Sequence, residues 1–256
     1  PFRHAETKRV SAKRAEFPSD TLDRLMALAP EQRGEILAAM PPDECAALAD
    51  IVHYDWRLWA RPEQLQPEGE WDLWMNLAGR GAGKTRPAAQ QFIEWVEDNP
   101  FLAMMAKDDA MVRDVMIEGE SGILACWPKY LPPIAYDKSK LRLTFPNGAV
   151  ALKLTSEAGA DAARGRQFYK AWAEEICAWV HAQEAWNEGL MNAVRLGQKP
   201  QVLVTTTPKM SSPIVAGLAM GPKGQDGRRM IRPEQMRVNR GLTDSPYDRW
   251  YEWEYS

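Results

Sequence analysis

The stretch Leu73-Trp74-Met75-Asn76-Leu77-Ala78-Gly79-Arg80-Gly81-Ala82-Gly83-Lys84-Thr85 runs from a short apolar segment into a glycine-rich loop that ends in Lys-Thr. Each residue type there has a separate physical task. Gly79, Gly81 and Gly83 let the backbone curl with its N–H groups turned inward, an anion nest at the start of a helix whose dipole adds to the attraction. Lys84 is placed to reach the β- and γ-phosphates of a nucleotide, and the Thr85 hydroxyl to ligate Mg²⁺. The G-x-x-x-x-G-K-S/T pattern is met except at its first position, where Ala78 stands for glycine. An apolar strand before the loop and a helical period after it distinguish this loop from a simple glycine turn. ATP and Mg²⁺ are therefore the expected ligands, with Gly79, Arg80, Gly81, Ala82, Gly83, Lys84 and Thr85 around the phosphates.

Working outward, Thr85 to Val96 carries Ala89, Phe92, Ile93 and Val96 on one helical face and stops at Asn99-Pro100. Phe101 to Ala106 reads as a buried strand, and Asp108 to Ile117 as a helix with Val112, Val115 and Met116 inward. Leu141 to Phe145 and Val150 to Leu154 alternate about Pro146-Asn147-Gly148, which predicts a β-hairpin. Phe168 to Ala173 is the next core strand, Trp179 to Arg195 a helix with a Trp186, Leu190 and Val194 stripe, and Gln201 to Thr206 a further strand. This alternation predicts an α/β fold: a P-loop NTPase three-layer sandwich with a mostly parallel central sheet. Upstream, Thr21 to Met40 reads as two short amphipathic helices and Glu44 to Val52 as a third. His53 to Trp71 is a connector rich in Trp, Pro and Gln. The expected organisation is a polar and helical region over 1–58, an ATPase core over 59–235, and a linker or lid over 236–256, with a last short helix from Pro246 to Tyr255.

A phosphate loop needs an acidic partner for the metal at the end of an apolar strand, and Ala171-Trp172-Ala173-Glu174-Glu175 supplies one. Glu174 is assigned to the metal and Glu175 to the water that attacks the γ-phosphate. The alternative is that two acids merely open a helix, where carboxylates favour the dipole. A catalytic acid directly after the metal acid points to the additional-strand, catalytic-glutamate type of P-loop fold. Gly119-Glu120-Ser121-Gly122 is no nucleophile elbow, because Ile123 stands where G-x-S-x-G needs glycine.

Apolar residues make up 45% and charged residues 26% of the 256-residue chain, ordinary globular values, and the net charge of −3 provides no global basic field. Local basic stretches lie at Arg3, Lys8, Arg9, Lys13 and Arg14 and at Lys223, Arg228, Arg229, Arg232, Arg237 and Arg240. They read as solvated tails or as DNA contacts. Cys45, Cys126 and Cys177 fit neither a disulfide framework nor a zinc site. No apolar run approaches the roughly 20 residues that span a bilayer. The expectation is a soluble, cytoplasmic protein without membrane contact.

Five ordered blocks resemble the large terminase subunits of tailed bacteriophages and gene transfer agents: WARPEQLQPEGEWDLWMNLAGRGAGKTR at 59–86, RDVMIEGESGIL at 113–124, LRLTFPNGAVALKL at 141–154, RGRQFYKAWAEEICAW at 164–179 and LVTTTPK at 203–209. The resemblance implies an ATP-hydrolysing motor that drives double-stranded DNA into a procapsid. Its partners would be a portal protein, a small terminase subunit and further copies of itself in a homo-oligomeric ring, expected as a pentamer, in the cytoplasm of a host bacterium. Gln64, flanked by Arg61 and Pro62, resembles the adenine-recognition segment, with a surface connector as the alternative. Arg86 follows the loop and is placed with the ATP-binding residues. Arg80 resembles the family's loop arginine and Arg164 the arginine presented to a neighbouring subunit's ATP; structural ion pairing is the alternative for each. Thr205, Thr206 and Thr207 resemble the coupling motif that senses the γ-phosphate, although threonine also favours strands for its own sake.

Two departures stand out. The metal acid is usually Asp, and Glu174 is one methylene longer, which leaves slow hydrolysis or a divergent site open. The acidic cluster of the family's nuclease domain does not occur, so no DNA cleavage is expected. Rival readings are a helicase-like translocase of the same ATPase class and a nucleotide-gated assembly module with little turnover.

Overall fold

The computed structural model describes residues 21–207, residues 212 and 214–215, and the backbone of a strand at 236–239. The basic stretches at 3–14 and 223–232, Arg240 and the helix expected from Pro246 lie outside the described residues. Eight strands form one sheet in the order β3-β4-β5-β2-β6-β7-β1-β8. They are β1 (Leu73–Leu77), β2 (Phe101–Ala106), β3 (Ala135–Asp137), β4 (Arg142–Thr144), β5 (Val150–Thr155), β6 (Lys170–Glu174), β7 (Gln201–Thr206) and β8 (Met236–Asn239). Strands β5, β2, β6, β7, β1 and β8 run parallel, and β3 and β4 add an antiparallel edge. Strand β7 separates β1 from β6, which is the inserted strand of the expected fold type.

The apolar strands are buried on both sides, as a covered parallel sheet requires. On one face Leu73, Met75, Met105, Ala171, Ala173 and Val204 pack with Trp179, Trp186, Leu190 and Val194. On the other, Trp74, Met104, Trp172 and Leu203 pack under Phe92, Val96, Val112 and Met116. Helices α1 (Thr21–Met26), α2 (Pro30–Ala39) and α3 (Pro42–Tyr54) precede the sheet, and α4 (Thr85–Asp98) follows the glycine loop. Helix α4 ends where Asn99 folds back, its backbone N–H and its Nδ2 both donating to the Trp95 carbonyl (3.1 and 2.8 Å), ahead of Pro100. The hairpin turns as expected, with Gly148 at φ 88° and its N–H on the Phe145 carbonyl.

Four features differ from the sequence expectation. The helix expected over Asp108–Ile117 begins as α5 (Asp109–Met111), capped by the Asp108 carboxylate on Met111 N–H, and widens into a π-helical turn over Val112–Ile117. The wider turn brings Ile117 into the core and leaves Val115 half-buried. A short helix, α6 (Ile123–Cys126), follows. The helix expected over Trp179–Arg195 starts only at α7 (Ala182–Glu184), passes through a second π turn over Ala185–Leu190, and ends as α8 (Met191–Ala193). Residues before α7 are held elsewhere: the Trp179 indole donates to the Glu174 carbonyl at 2.9 Å, and His181 turns the chain at φ 52°. Among the described residues of α1 and α2 the apolar positions form no buried stripe, since Met26, Ile36 and Leu37 are exposed and α2 buries none of its residues. Strand β8, finally, lies within the stretch read as linker or lid, and pairs with β1.

Phe92 is fully buried with its ring 6.2 Å from that of Trp172, joining α4 to the middle of the sheet. Phe92→Ala is expected to lower stability by about 3–5 kcal/mol, read as the shift of the urea unfolding midpoint; a shift below 1 kcal/mol would place this contact outside the cooperative core.

Candidate active site

The C-terminal ends of β1, β6 and β7 converge because the three strands are adjacent and in register, with Glu174 opposite Thr205 and Thr205 opposite Asn76. The glycine loop leaves β1 there and returns as α4. Gly81 and Gly83 hold φ 77° and 76°, which L side chains rarely adopt. A Cβ on Gly83 would also meet the Gln64 amide nitrogen at 3.0 Å. Ala78 takes no positive φ, so the missing first glycine costs the loop nothing.

Lys84 is buried and bends back onto its own loop. Its Nζ donates to the carbonyls of Ala78 (3.0 Å) and Gly79 (2.8 Å) and to Thr207 Oγ1 (3.1 Å), so each of its three donors has a partner. Burial lowers its pKa, while the charges of Glu175 and Glu174 work the other way. Thr85 opens α4 beside it, and Arg80 is exposed at the loop tip.

Glu174 closes β6 and Glu175 follows it, and the two carboxyls take different partners. The Glu174 carboxyl is almost wholly buried, and its Oε2 accepts from the Trp172 indole (3.1 Å) and from the Thr205 hydroxyl. Burial pushes its pKa up to about 7; the Thr205 hydrogen bond and the Lys84 charge oppose that shift and the neighbouring Glu175 adds to it. Glu175 sits in the left-handed region at φ 47°, a strained position for a side chain of its size. Its carboxylate accepts from Thr207 N–H (2.8 Å), Thr206 Oγ1 (3.4 Å) and Thr207 Oγ1 (3.2 Å), and Thr206 Oγ1 accepts in turn from Cys177 N–H (3.1 Å). One network thus joins Lys84, Thr207, Glu175 and Thr206.

The connector before β1 packs against the loop. Gln64 is buried; its Nε2 donates to the Gly83 carbonyl (3.1 Å) and its Oε1 accepts from Arg61 N–H (3.1 Å). The Arg61 guanidinium donates to the Ala82 carbonyl (2.8 Å), and Arg86 lies over the Trp56 ring at 5.9 Å. Arg164 stands apart from this network. It follows a 3-10 segment over Ser156–Ala163, is 78% exposed, and pairs with Asp161 at 2.6 Å. Sequence reasoning missed Trp172 and Asn76. Their position was legible: Trp172 stands two residues before Glu174 and so shares its face, and Asn76 is a polar residue inside an apolar strand.

Magnesium fits these residues. Among the described residues no cluster of three or more His, Cys, Asp or Glu forms a cage, and Mg²⁺ is usually held by one or two protein oxygens with phosphate and water completing its shell. Thr85, opening α4, and Glu174, ending β6, would be the protein oxygens of such a shell, and a cation would restore the charged form of a carboxyl that burial disfavours.

The sequence profile described as terminase large subunit, T4likevirus-type, N-terminal, matches residues 75–218, more than half of the chain. The chain belongs to the terminase large-subunit family. No curated protein matches the terminase chain significantly. Solved structures similar to it include a mutant of the Thermus phage P74-26 large terminase ATPase domain, at 14% identity and a TM-score of 0.47 over 71% of this chain and 79% of that one. The large terminase of a thermophilic bacteriophage with ADP gives 14% identity and 0.42 over 61% of this chain and 37% of that chain. A second crystal form gives 12% and 0.46 over 81% and 50%. The terminase chain therefore spans half or less of the length of those two chains.

Because the folded Glu174 value lies above the ordinary one, the carboxyl holds a proton in the folded state that the unfolded chain has released. Its contribution to stability is present below the ordinary value of 4.5 and lost as pH rises through about 7. Relative to Glu174→Gln, the wild type is expected to lose up to about 3 kcal/mol of stability between about pH 5 and about pH 8. Urea unfolding at both pH values checks this, and parallel losses in the two proteins would show that Glu174 titrates normally.

Proposed function

We propose that this chain is the ATP-hydrolysing motor domain of a terminase that translocates double-stranded DNA into a procapsid, its ATPase core running from residue 59 through β8 rather than ending at 235. The observation that carries this reading is the hydrogen-bonded set Lys84, Thr207, Glu175 and Thr206 at the mouth of the glycine loop. On this reading Lys84 is a phosphate-seeking cation, Glu175 a carboxylate base and the threonines a γ-phosphate sensor, and their hydrogen bonding to one another supports it.

In this reading the loop N–H groups receive the phosphates, and Lys84 exchanges its internal acceptors for β- and γ-phosphate oxygens. Thr85 and Glu174 would hold Mg²⁺, which would supply positive charge against the negative charge of the phosphates. Glu175 accepts a proton from the attacking water as the new oxygen–phosphorus bond forms and the bond to the ADP oxygen breaks. Lys84 then loses its phosphate partner and returns to Thr207, so phosphate release is felt at the end of β7. Gln64 and Arg61, seated against Gly83 and Ala82, tie recognition of the base to the shape of the loop. Arg80 stabilises charge in cis and Arg164 does so in trans, across a homo-oligomeric ring docked on a portal protein with a small terminase subunit supplying DNA, in the host cytoplasm. The DNA contacts are mostly to phosphates and weaken as salt rises.

One observation favours a second reading. The buried Glu174 carboxyl is already engaged by Trp172 and Thr205, which suits a nucleotide-gated assembly module with little turnover. ATPase rates with DNA and procapsid present separate the two: turnover that rises with Glu174→Asp supports the motor, and silence of both proteins supports the gate.

Lys84→Ala is expected to abolish ATP binding, and Glu175→Gln to bind ATP while hydrolysing about 100-fold more slowly or worse. Mixing Arg164→Ala subunits with Glu175→Gln subunits should restore part of the activity in a shared ring. Mixtures no more active than either parent would remove Arg164 from the trans role.

A further inference from the structure

On the face of the sheet that carries α4, the row formed by Trp172, Leu203 and Trp74 is apolar, and its members are opposite one another in register. Two residues further along, the same three strands present Glu174, Thr205 and Asn76. A polar row thus crosses β6, β7 and β1 at the level where the glycine loop begins. Glu174 and Thr205 are bonded to each other and to the Trp172 indole. Asn76 is completely buried, and among the described residues neither its Oδ1 nor its Nδ2 has a partner.

An unpaired buried amide costs the desolvation of both its polar groups, whereas an apolar residue of the same shape at that position would be close to neutral or stabilising. Leucine would extend the apolar strand Leu73-Trp74-Met75 without a break. A polar residue at this position thus calls for a role that folding does not explain. We propose that Asn76 is a positioning residue for Glu174, acting through Thr205. The Thr205 hydroxyl has one proton and two lone pairs. It accepts from the Trp172 indole at 3.0 Å, and its proton has two acceptors within reach, the Glu174 carboxyl and the Ala173 carbonyl at 3.4 Å. Asn76 does not make that contact here, but it stands in register beside Thr205 on the neighbouring strand with its amide unspent; turned onto the second lone pair when nucleotide and metal bind, Nδ2 would leave the proton only the direction of Glu174. The carboxyl is then held in one orientation for the metal, with the row rather than Glu174 alone setting its place. The longer side chain at this position makes such restraint more important, because it has one more rotatable bond than aspartate.

The inference rests on the nucleotide reading, and the two fail separately. Binding of fluorescent ADP is titrated with Mg²⁺ for wild type, Asn76→Leu, Thr205→Val and the double variant, with thermal unfolding measured alongside. Asn76→Leu is expected to unfold within a few degrees of wild type yet to need about 10-fold more Mg²⁺ for half-maximal binding. The double variant should need no more than Thr205→Val alone, and Asn76→Thr, which restores a donor, should recover part of the shift. A folded Asn76→Leu protein with wild-type Mg²⁺ dependence overturns the proposal. So does a double variant whose shift is the product of the single ones. If Asn76→Leu does not fold, Asn76→Thr with a Mg²⁺ dependence as shifted as that of Thr205→Val overturns it, and a lesser shift supports it. A wild-type chain that binds no ADP at any Mg²⁺ concentration sinks the nucleotide reading instead. The Asn76 and Thr205 coupling is then read from unfolding of the four proteins, where additive effects overturn it and non-additive ones support it.

Discussion

The Lys84 ammonium is the constraint on which the site depends. A buried cation is costly unless every donor is satisfied and opposite charge lies close. Here the donors are met by two loop carbonyls and by Thr207, and the opposite charge is provided by the two glutamates at the end of β6. Those partners come from three strands, so the lysine can be buried only if β1, β6 and β7 end together. The parallel register delivers this, and the apolar clusters on both faces pack the three strands together below the site.

The same arithmetic explains the two glutamates. Glu174, the last residue of β6, shares the face of Trp172 and turns into the α4 layer, whereas Glu175 leaves the strand and meets the threonines at the end of β7. One carboxyl is thereby desolvated and the other, bent into the left-handed region, is tied by hydrogen bonds from Thr206 and Thr207. Strain at Glu175 is sustained by the segment that follows it. The Ala178 N–H bonds to the Glu175 carbonyl at 2.8 Å and the Trp179 indole bonds to the Glu174 carbonyl, so two anchors fix the turn before α7 begins.

Much of this was legible from residue types alone. The glycine loop announces itself because Lys84 and Thr85 follow glycines at a fixed spacing, and the central strands because they are continuous apolar runs between turn residues. The helices were less legible for a physical reason. A period of 3.6 was assumed for Asp108–Ile117 and Trp179–Arg195, whereas both contain π turns, which shift inward-facing positions without changing the composition. The upstream helices form where expected, but their apolar spacing is matched by little partner surface among the described residues. In the site, Gln64 and Arg61 were visible as residues without a periodic role, but that they would spend their donors on Gly83 and Ala82 depends on a fold-back of the connector that spacing does not encode. Asn76 was hidden for the opposite reason, because one polar residue in a strand is easily read as noise.

Arg164 shows how a residue remote from the network is still joined to it. Its segment, Ser156–Ala163, is pinned at two points. The Ser156 hydroxyl accepts from Val180 N–H at 3.0 Å, and the Glu184 carboxylate accepts from Ala160 N–H at 3.2 Å while lying against Gly159, which is held at φ 54°. A side chain at Gly159 would strike that carboxylate at 2.9 Å, and one at Gly189 would approach the Gly159 carbonyl at 3.2 Å. The segment bearing Arg164 therefore rests directly on the helix that begins after the Glu175 turn, with no side chain between their backbones at that crossing. Arg164 itself is free to leave its partner, because an exposed pair with Asp161 contributes only about 0–1 kcal/mol. A rigid mount with a weakly held tip is what the trans role proposed for Arg164 requires, since such a cation must leave its own chain's acceptor to reach another's.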